Sequence, residues 1–272
     1  PLFLRYIAQV LPSLGEAATR QTTIERLVGG RVRRTDVPQV ARVKGDPRLA
    51  EVLLRGARQH LRPPDSDVEV GTPWGKLRLR AADVSEAIEE IVARGTAFAV
   101  GRTALRTRLR RMAWLVHQEV RGDSAAPADI FESALRAHAD LNAAVGRIWP
   151  SLSAGVLVKR LLTNRGALAA AAAGLLDEEE QALLRRPGAR RLDDEPWSVA
   201  ELVLVDEAEA LLNGVSRTYG HVVVDEAQDL SAMELRAVAR RCPSRSMTIL
   251  GDLAQATAPG AQTSWEAAVV HI

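Results

Sequence analysis

The chain has 272 residues, 47% of them hydrophobic, with 36 basic and 34 acidic side chains and one cysteine, Cys242. A single cysteine excludes a disulfide framework and points to a reducing, cytoplasmic setting. Five scattered histidines (His60, His117, His138, His221, His271) offer no metal-ligand spacing, and the longest small-apolar run, 167–176, falls far short of the ~20 residues that span a bilayer. No charged-then-apolar leader opens the chain, and without a bilayer-length apolar run no membrane partner is expected. The length predicts two units rather than one. Aromatics make up only 4%, while Ala, Leu and Arg dominate, which favours helix. Lys44, Lys76 and Lys159 are the only lysines, so Arg carries nearly all the positive charge. A GC-rich genome explains that bias by itself.

In chain order, the spacing predicts a helix over 48–61, stopped by Pro63-Pro64. A hairpin follows over 68–80, where Val68-Glu69-Val70 and Leu77-Arg78-Leu79-Arg80 alternate. The intervening Gly71-Thr72-Pro73-Trp74-Gly75-Lys76-Leu77 imitates a phosphate-binding loop. It is one residue short between the glycines, and Leu77 stands where a hydroxyl must bind Mg²⁺. We read it as a turn. No Gly-x-x-x-x-Gly-Lys-Ser/Thr string occurs anywhere in the chain.

Asp83 is expected to cap a helix running through Arg94. A longer helix covers 102–121, with Leu105, Leu109, Met112, Leu115 and Val116 on one side. It carries Arg102, Arg106, Arg108, Arg110 and Arg111. Positions 102, 106 and 110 are one turn apart and share a face. That face suits nucleic-acid phosphates or an acidic protein surface, or else it is a solvated face with ion pairs to neighbouring carboxylates. No aromatic residues interleave with these arginines, so a base-stacking platform is not indicated. Pro127 opens a helix over 128–147, Trp149-Pro150 breaks the chain, and 153–162 and 166–176 are again helical. Residues 185–194 form a charged connector.

Leu202 to Glu209, Leu-Val-Leu-Val-Asp-Glu-Ala-Glu, imitates a strand ending in carboxylates. Ser198 with Glu201 three residues on is instead a capping box, and Gly214 stops the run. A helix over 199–213 is expected, with Asp206, Glu207 and Glu209 on a solvated face.

Near the end, Val222, Val223 and Val224 form a short buried strand that runs into Asp225 and Glu226. A helix over 231–241 has Met233, Leu235, Val238 and Ala239 on one face. Met247 to Leu250 form a second strand ending in Gly251-Asp252. Strand, helix, strand is a βαβ crossover. Its parallel strands end on one edge, so Asp225, Glu226, Asp252 and Gln255 are expected to share a rim. Paired Asp and Glu at a strand end suit phosphoryl transfer. One carboxylate holds Mg²⁺ through water and the other orients the attacking water.

Asp225-Glu226-Ala227-Gln228-Asp229 resembles the Walker B motif of UvrD/Rep-type superfamily 1 helicases. Gly251-Asp252-Leu253-Ala254-Gln255 resembles the family's next motif, Gly-Asp-x-x-Gln. The stretch 219–257, with Ser264-Trp265 beyond it, is most similar to HelD-like factors that bind bacterial RNA polymerase. Phe3-Leu4-Arg5-Tyr6-Ile7, Val10-Leu11-Pro12-Ser13-Leu14-Gly15-Glu16 and Val40-Ala41-Arg42-Val43-Lys44-Gly45-Asp46 also resemble that group.

The resemblance implies an α/β fold. A partial RecA-like P-loop ATPase lobe on a parallel sheet (1–46 and 196–272) would carry a large, mainly α-helical insertion with a small β-hairpin (47–195). The cofactors implied are ATP and Mg²⁺, with Asp225 on the metal through water. Glu226 would activate water, and Gln255 would sense the γ-phosphate. Nucleotide contacts fall on Asp225, Glu226, Gln228, Asp252 and Gln255. The partner implied is core RNA polymerase, entered by the insertion, with DNA as a second partner through Arg102, Arg106 and Arg110. An ordinary superfamily 1 helicase of DNA repair or replication and a non-catalytic interaction module stand as alternatives. With no phosphate-binding loop, and with the family's second lobe expected beyond Ile272, the chain is expected to be a fragment that does not hydrolyse ATP alone.

Overall fold

The computed structural model describes residues 19–136, 138–262 and 264–272. The segments at 3–7 and 10–16 that resemble HelD-like factors lie outside the described residues. The fold is mixed α and β and mainly helical. Thr23 caps α1 (Ile24–Val28), and Pro38 opens α2 (Pro38–Lys44) at the one helical position where a missing N–H costs nothing. Helix α3 (Arg48–Arg58) follows, ending three residues before the expected 61. Strands β1 (Val68–Thr72) and β2 (Gly75–Leu79) pair antiparallel, Val68 opposite Leu79 and Thr72 opposite Gly75. The loop-like glycine segment is therefore a hairpin end with Pro73 and Trp74 at its tip. Gly75 sits at φ 119°, where a side chain would be strained.

Helix α4 (Ala81–Ala93) starts one turn earlier than expected. Asp83 is not its cap. It lies within the first turn and pairs with Arg80 at 2.9 Å, while the Asp67 carboxylate accepts from the Ala81 N–H. The long helix α5 (Phe98–Arg121) begins four residues before Arg102. The single helix expected over 128–147 is two, α6 (Ala128–Leu135) and α7 (Ala139–Ile148). Neither Pro nor Gly marks that break. Helices α8 (Ala154–Thr163) and α9 (Arg165–Ala172) are capped by Ser153 and Asn164. The unanticipated α10 (Glu178–Leu184) starts at a full capping box of Asp177 and Glu180. Helix α11 (Val199–Asn213) has the predicted bounds. Then come β3 (Val222–Val224), α12 (Ala232–Ala239), β4 (Met247–Ile249) and α13 (Trp265–Val269). No helix among the described residues is long and apolar enough to cross a membrane.

The described residues form two compact units, one within 19–49, 188–206 and 218–272, the other within 50–187 and 207–217. In the second unit, α5 buries Leu105, Leu109, Ala113 and His117, a strict four-residue spacing that puts them on one face. The hairpin turns Val68, Val70, Leu77 and Leu79 inward. Gly101 on α5 lets Trp149 lie against the helix backbone, since an added Cβ would press on its ring.

Phe131 stacks on Trp74 and on His117, whose ring is tilted against Trp74, with centroids 4.7–5.4 Å apart. His117 Nε2 accepts the Ala126 N–H at 3.1 Å, which requires a neutral ring. Burial, and secondarily the charge of Arg121, pull its pKa below the ordinary histidine value. A depressed folded pKa means the unfolded state binds the proton first. Stability is therefore full above about pH 6.5 and falls as pH drops below it, by up to about 1.4 kcal/mol per pH unit for one proton. Urea midpoints between pH 7.5 and 5 should show this slope, and His117→Gln should flatten it.

In the first unit, β3 and β4 pair in parallel, with Val222 opposite Met247 and Val224 opposite Ile249. Val224, Ala227 and Val238 form a core beneath them, joined by Ile24, Leu27, Leu230 and Trp265. The acidic residues of α11 do not share a solvated face. Glu207 is buried, and Asp206 accepts from Arg240 at 2.5 Å and, through both oxygens, from Arg241. Glu209 alone of the three is exposed. The helix reading of this strand-like segment stands, and its Asp206 is an anchor for α12's C-terminal end rather than a metal ligand.

Candidate functional site

The register of β3 and β4 places Asp225 opposite Leu250. In a regular parallel ladder Leu250 would donate to Val224 and accept from Glu226. Leu250 N–H does donate to the Val224 carbonyl at 2.8 Å, but its own carbonyl accepts from Ala227 at 2.9 Å. One extra residue is thus inserted after Asp225, which is a β-bulge. Glu226 absorbs it in the left-handed region, φ 55° and ψ 37°. Its freed N–H is taken by the Asp225 carboxylate at 3.0 Å. A left-handed non-glycine residue costs roughly 1–2 kcal/mol and persists where surrounding structure imposes it. The bulge lifts Asp225 and Glu226 out of the ladder, and both are exposed at the C-terminal end of β3.

The turn after β4 lies beside them. Asp252 and Gln255 are exposed at the same edge. Asp252 accepts from Gln255 Nε2 at 2.8 Å and from the Ala254 N–H at 2.9 Å. These donors, the Gln255 amide first, hold its carboxyl below the usual carboxylate range. Asp229 accepts from Thr257 at 2.9 Å and Ala258 at 3.1 Å, which fastens the loop beyond.

Gln228 departs from the expected nucleotide contacts. It is buried, with 1% of its surface exposed, and faces inward. Its Nε2 donates to Glu226 at 2.7 Å, and its Oε1 accepts from the Asp252 N–H at 3.0 Å. The rim therefore gathers Asp225, Glu226, Asp252 and Gln255, and Gln228 lies beneath it.

These residues offer oxygen donors only. Mg²⁺ is commonly held by one or two carboxylates with waters and substrate phosphates completing its shell. Asp225 and Asp252, exposed at the ends of adjacent strands, suit that partial donor set. Among the described residues no group of three or more His, Cys, Asp or Glu could hold a metal by itself. No Gly-x-x-x-x-Gly-Lys-Ser/Thr string occurs in residues 1–272.

The same unit holds a buried cluster that sequence reading missed. Lys44 is fully buried and donates to both Asp36 and Glu201, each at 2.7 Å. Asp36 also accepts from the Ser198 hydroxyl and from Arg34. The next residue, Gly45, accepts the Met233 N–H at 3.1 Å at the start of α12, and a Cβ on it would overlap Ser231. The buried cluster thus fixes the strand-linking segment that follows the bulge. One signal was present: a lysine in a chain that otherwise uses arginine. Its partners could not be read, because Glu201 lies 157 positions away.

The arginine face lies in the other unit. Arg102, Arg106 and Arg110 follow one side of α5, all partly buried. Arg102 Nε donates to the Trp149 carbonyl at 2.9 Å. The Nε atoms of Arg106 and Arg110 are buried and meet no hydrogen-bond acceptor among the described residues. Arg108 pairs with Glu90 at 3.5 Å. Arg111 lies over the ring of Trp114, which follows the arginine run rather than interleaving with it, at 4.2 Å. No protein-family model matches the chain, and no curated protein matches it.

Proposed function

We propose that the first unit carries the Walker B and following motif of a UvrD/Rep-type superfamily 1 ATPase, within a RecA-like lobe. The bulge that turns Asp225 and Glu226 out of a parallel strand end is the observation that carries this reading. Strain of that kind concentrates where side chains must be aimed. In this assignment Asp225 would hold Mg²⁺ through water, and the bound ion would supply neutralisation of phosphate charge. Glu226 accepts the proton of the attacking water. Gln255, at the turn after β4, faces the terminal phosphate. Such an ATPase also needs a phosphate-binding loop, which residues 1–272 do not contain.

Mg²⁺-dependent nucleotide binding tests the assignment in a protein that includes that loop. Asp225→Asn is expected to weaken it by about 10–100-fold, the usual loss for a residue acting on a metal through its shell. Equal affinity in variant and parent would sink it.

For the partner, we propose core RNA polymerase, as in HelD-like factors, with the helical unit making the contact. The three arginines of the α5 face are partly buried on one side of the helix, with Arg102 held to the Trp149 carbonyl, and present positive charge to an acidic surface. Binding of the chain to core polymerase and to single-stranded DNA, compared across a salt series, separates the choices. Tight polymerase binding with weak, salt-labile DNA binding is expected. DNA binding alone would point to an ordinary translocase acting on nucleic acid.

A further inference from the structure

Gln228 has no assigned part in the chemistry above, yet it is the most constrained polar side chain at the site. The Asp252 backbone N–H can only donate, so the amide oxygen must face it. The NH₂ group is thereby forced toward Glu226, which accepts at 2.7 Å. The orientation of the amide follows from the backbone and is not free to reverse. Gly251 supplies the space: a Cβ there would overlap the Gln228 oxygen and crowd the Ala227 and Gln228 amides. The Gln228 carbonyl also accepts from Gln262 at 3.0 Å, so the residue is held at both its side chain and its main chain.

A continuous chain of hydrogen bonds results. It runs from the Glu226 carboxylate through the Gln228 amide to the Asp252 N–H, and from the Asp252 carboxylate to Gln255. The two side chains assigned to water and to the terminal phosphate are therefore linked through one buried amide. If the turn after β4 moves, the acceptor for Asp252 and the donor to Glu226 move with it.

We propose that Gln228 is a positioning residue that couples the Glu226 carboxylate to the turn carrying Asp252 and Gln255, so that the two sides of the rim are set together. Its consequence for catalysis rests on the ATPase reading; the link itself does not.

Hydrogen exchange of the Asp252 amide in the nucleotide-free chain tests the link. In Gln228→Met, which keeps the volume and removes both bonds, that amide should exchange about tenfold faster. The Leu250 amide, bonded to Val224, should be unchanged and serves as the reference. Gln228→Glu should also lose protection at neutral pH, because it sets two carboxylates in contact. The exchanged pair Glu226→Gln with Gln228→Glu restores donor and acceptor in the reverse sense and should recover protection to within about threefold of the parent. A space-filling role alone would not give that rescue. An unchanged Asp252 amide in Gln228→Met, or no recovery in the exchanged pair, would overturn the proposal.

In a protein that turns over ATP, Gln228→Met should lower kcat while leaving KM within about twofold. Full turnover in a variant whose Asp252 amide has opened would overturn the positioning role. If the parent protein shows no turnover, the ATPase reading fails alone and the hydrogen-exchange result still decides the link.

Discussion

Lys44→Met is expected to remove a large share of the first unit's stability. The ammonium pairs with both Asp36 and Glu201, and the Lys44 and Glu201 side chains have no exposed surface. Removing one member of a buried ion cluster typically costs about 3–5 kcal/mol, because the remaining charges stay buried without the compensation that member supplied. Against a total of about 5–15 kcal/mol for a typical domain, that is a large share. Methionine keeps the unbranched stem, so the loss reports charge and hydrogen bonds more than volume. The triple variant Lys44→Met, Asp36→Asn, Glu201→Gln removes the stranded charges and should recover a large part of the loss.

The pH dependence gives an independent check. Burial of Asp36 opposes its charged form, but the bonds from Lys44, Ser198 and Arg34 outweigh it and hold its carboxyl below the usual range. A depressed carboxyl stabilises the fold above its unfolded pKa, near 3.9, and that stabilisation disappears as pH falls through the lower folded value. In Lys44→Met the downward pull of the ammonium on Asp36 is lost while its burial, which favours the protonated form, remains. The gap between parent and variant should therefore narrow as pH falls toward 4. Urea unfolding at pH 7 and pH 4 measures it, and an equal gap at both would exclude this account of the cluster.

Glu226→Gln should abolish ATP turnover in a protein that also carries the phosphate-binding loop, while nucleotide binding is kept. General-base contributions are typically 10²–10⁴-fold, and glutamine cannot take the proton. The substitution is close to isosteric. Its amide oxygen can still accept from Gln228 Nε2, so the bulge and the rim should hold their shape. Lost turnover can then be assigned to the missing base rather than to a collapsed loop. Turnover measured under single-turnover conditions, beside nucleotide affinity, separates the two. Unchanged turnover would end the assignment of Glu226 as the base.

The sequence by itself determined the local elements of the site. Three consecutive valines favour a strand, the Ser231 and Glu234 spacing starts α12, and Met247 to Ile249 form the second strand. Each depends on neighbours within four positions, which is the range over which propensity and capping act. The same holds for α11, where Ser198 and Glu201 set the start against a strand-like composition. Local patterns also misled where tertiary packing chose the outcome. The run over 128–147 has helical periodicity throughout, yet the chain breaks it so that Phe131 and Leu135, then Leu141 and Val145, are each fully buried.

Only the tertiary structure decided the details that give the rim its chemistry. The bulge at Glu226 exists because Leu250 bonds to Val224 on one side and Ala227 on the other, a fact of strand pairing. Gln228 turns inward because Gly251 leaves room and the Asp252 N–H needs an acceptor. Lys44 is buried because residues far apart in the chain bring two carboxylates around it. Such contacts are set by where separate segments meet, and a burial cost that local sequence cannot express is offset only when all the partners arrive.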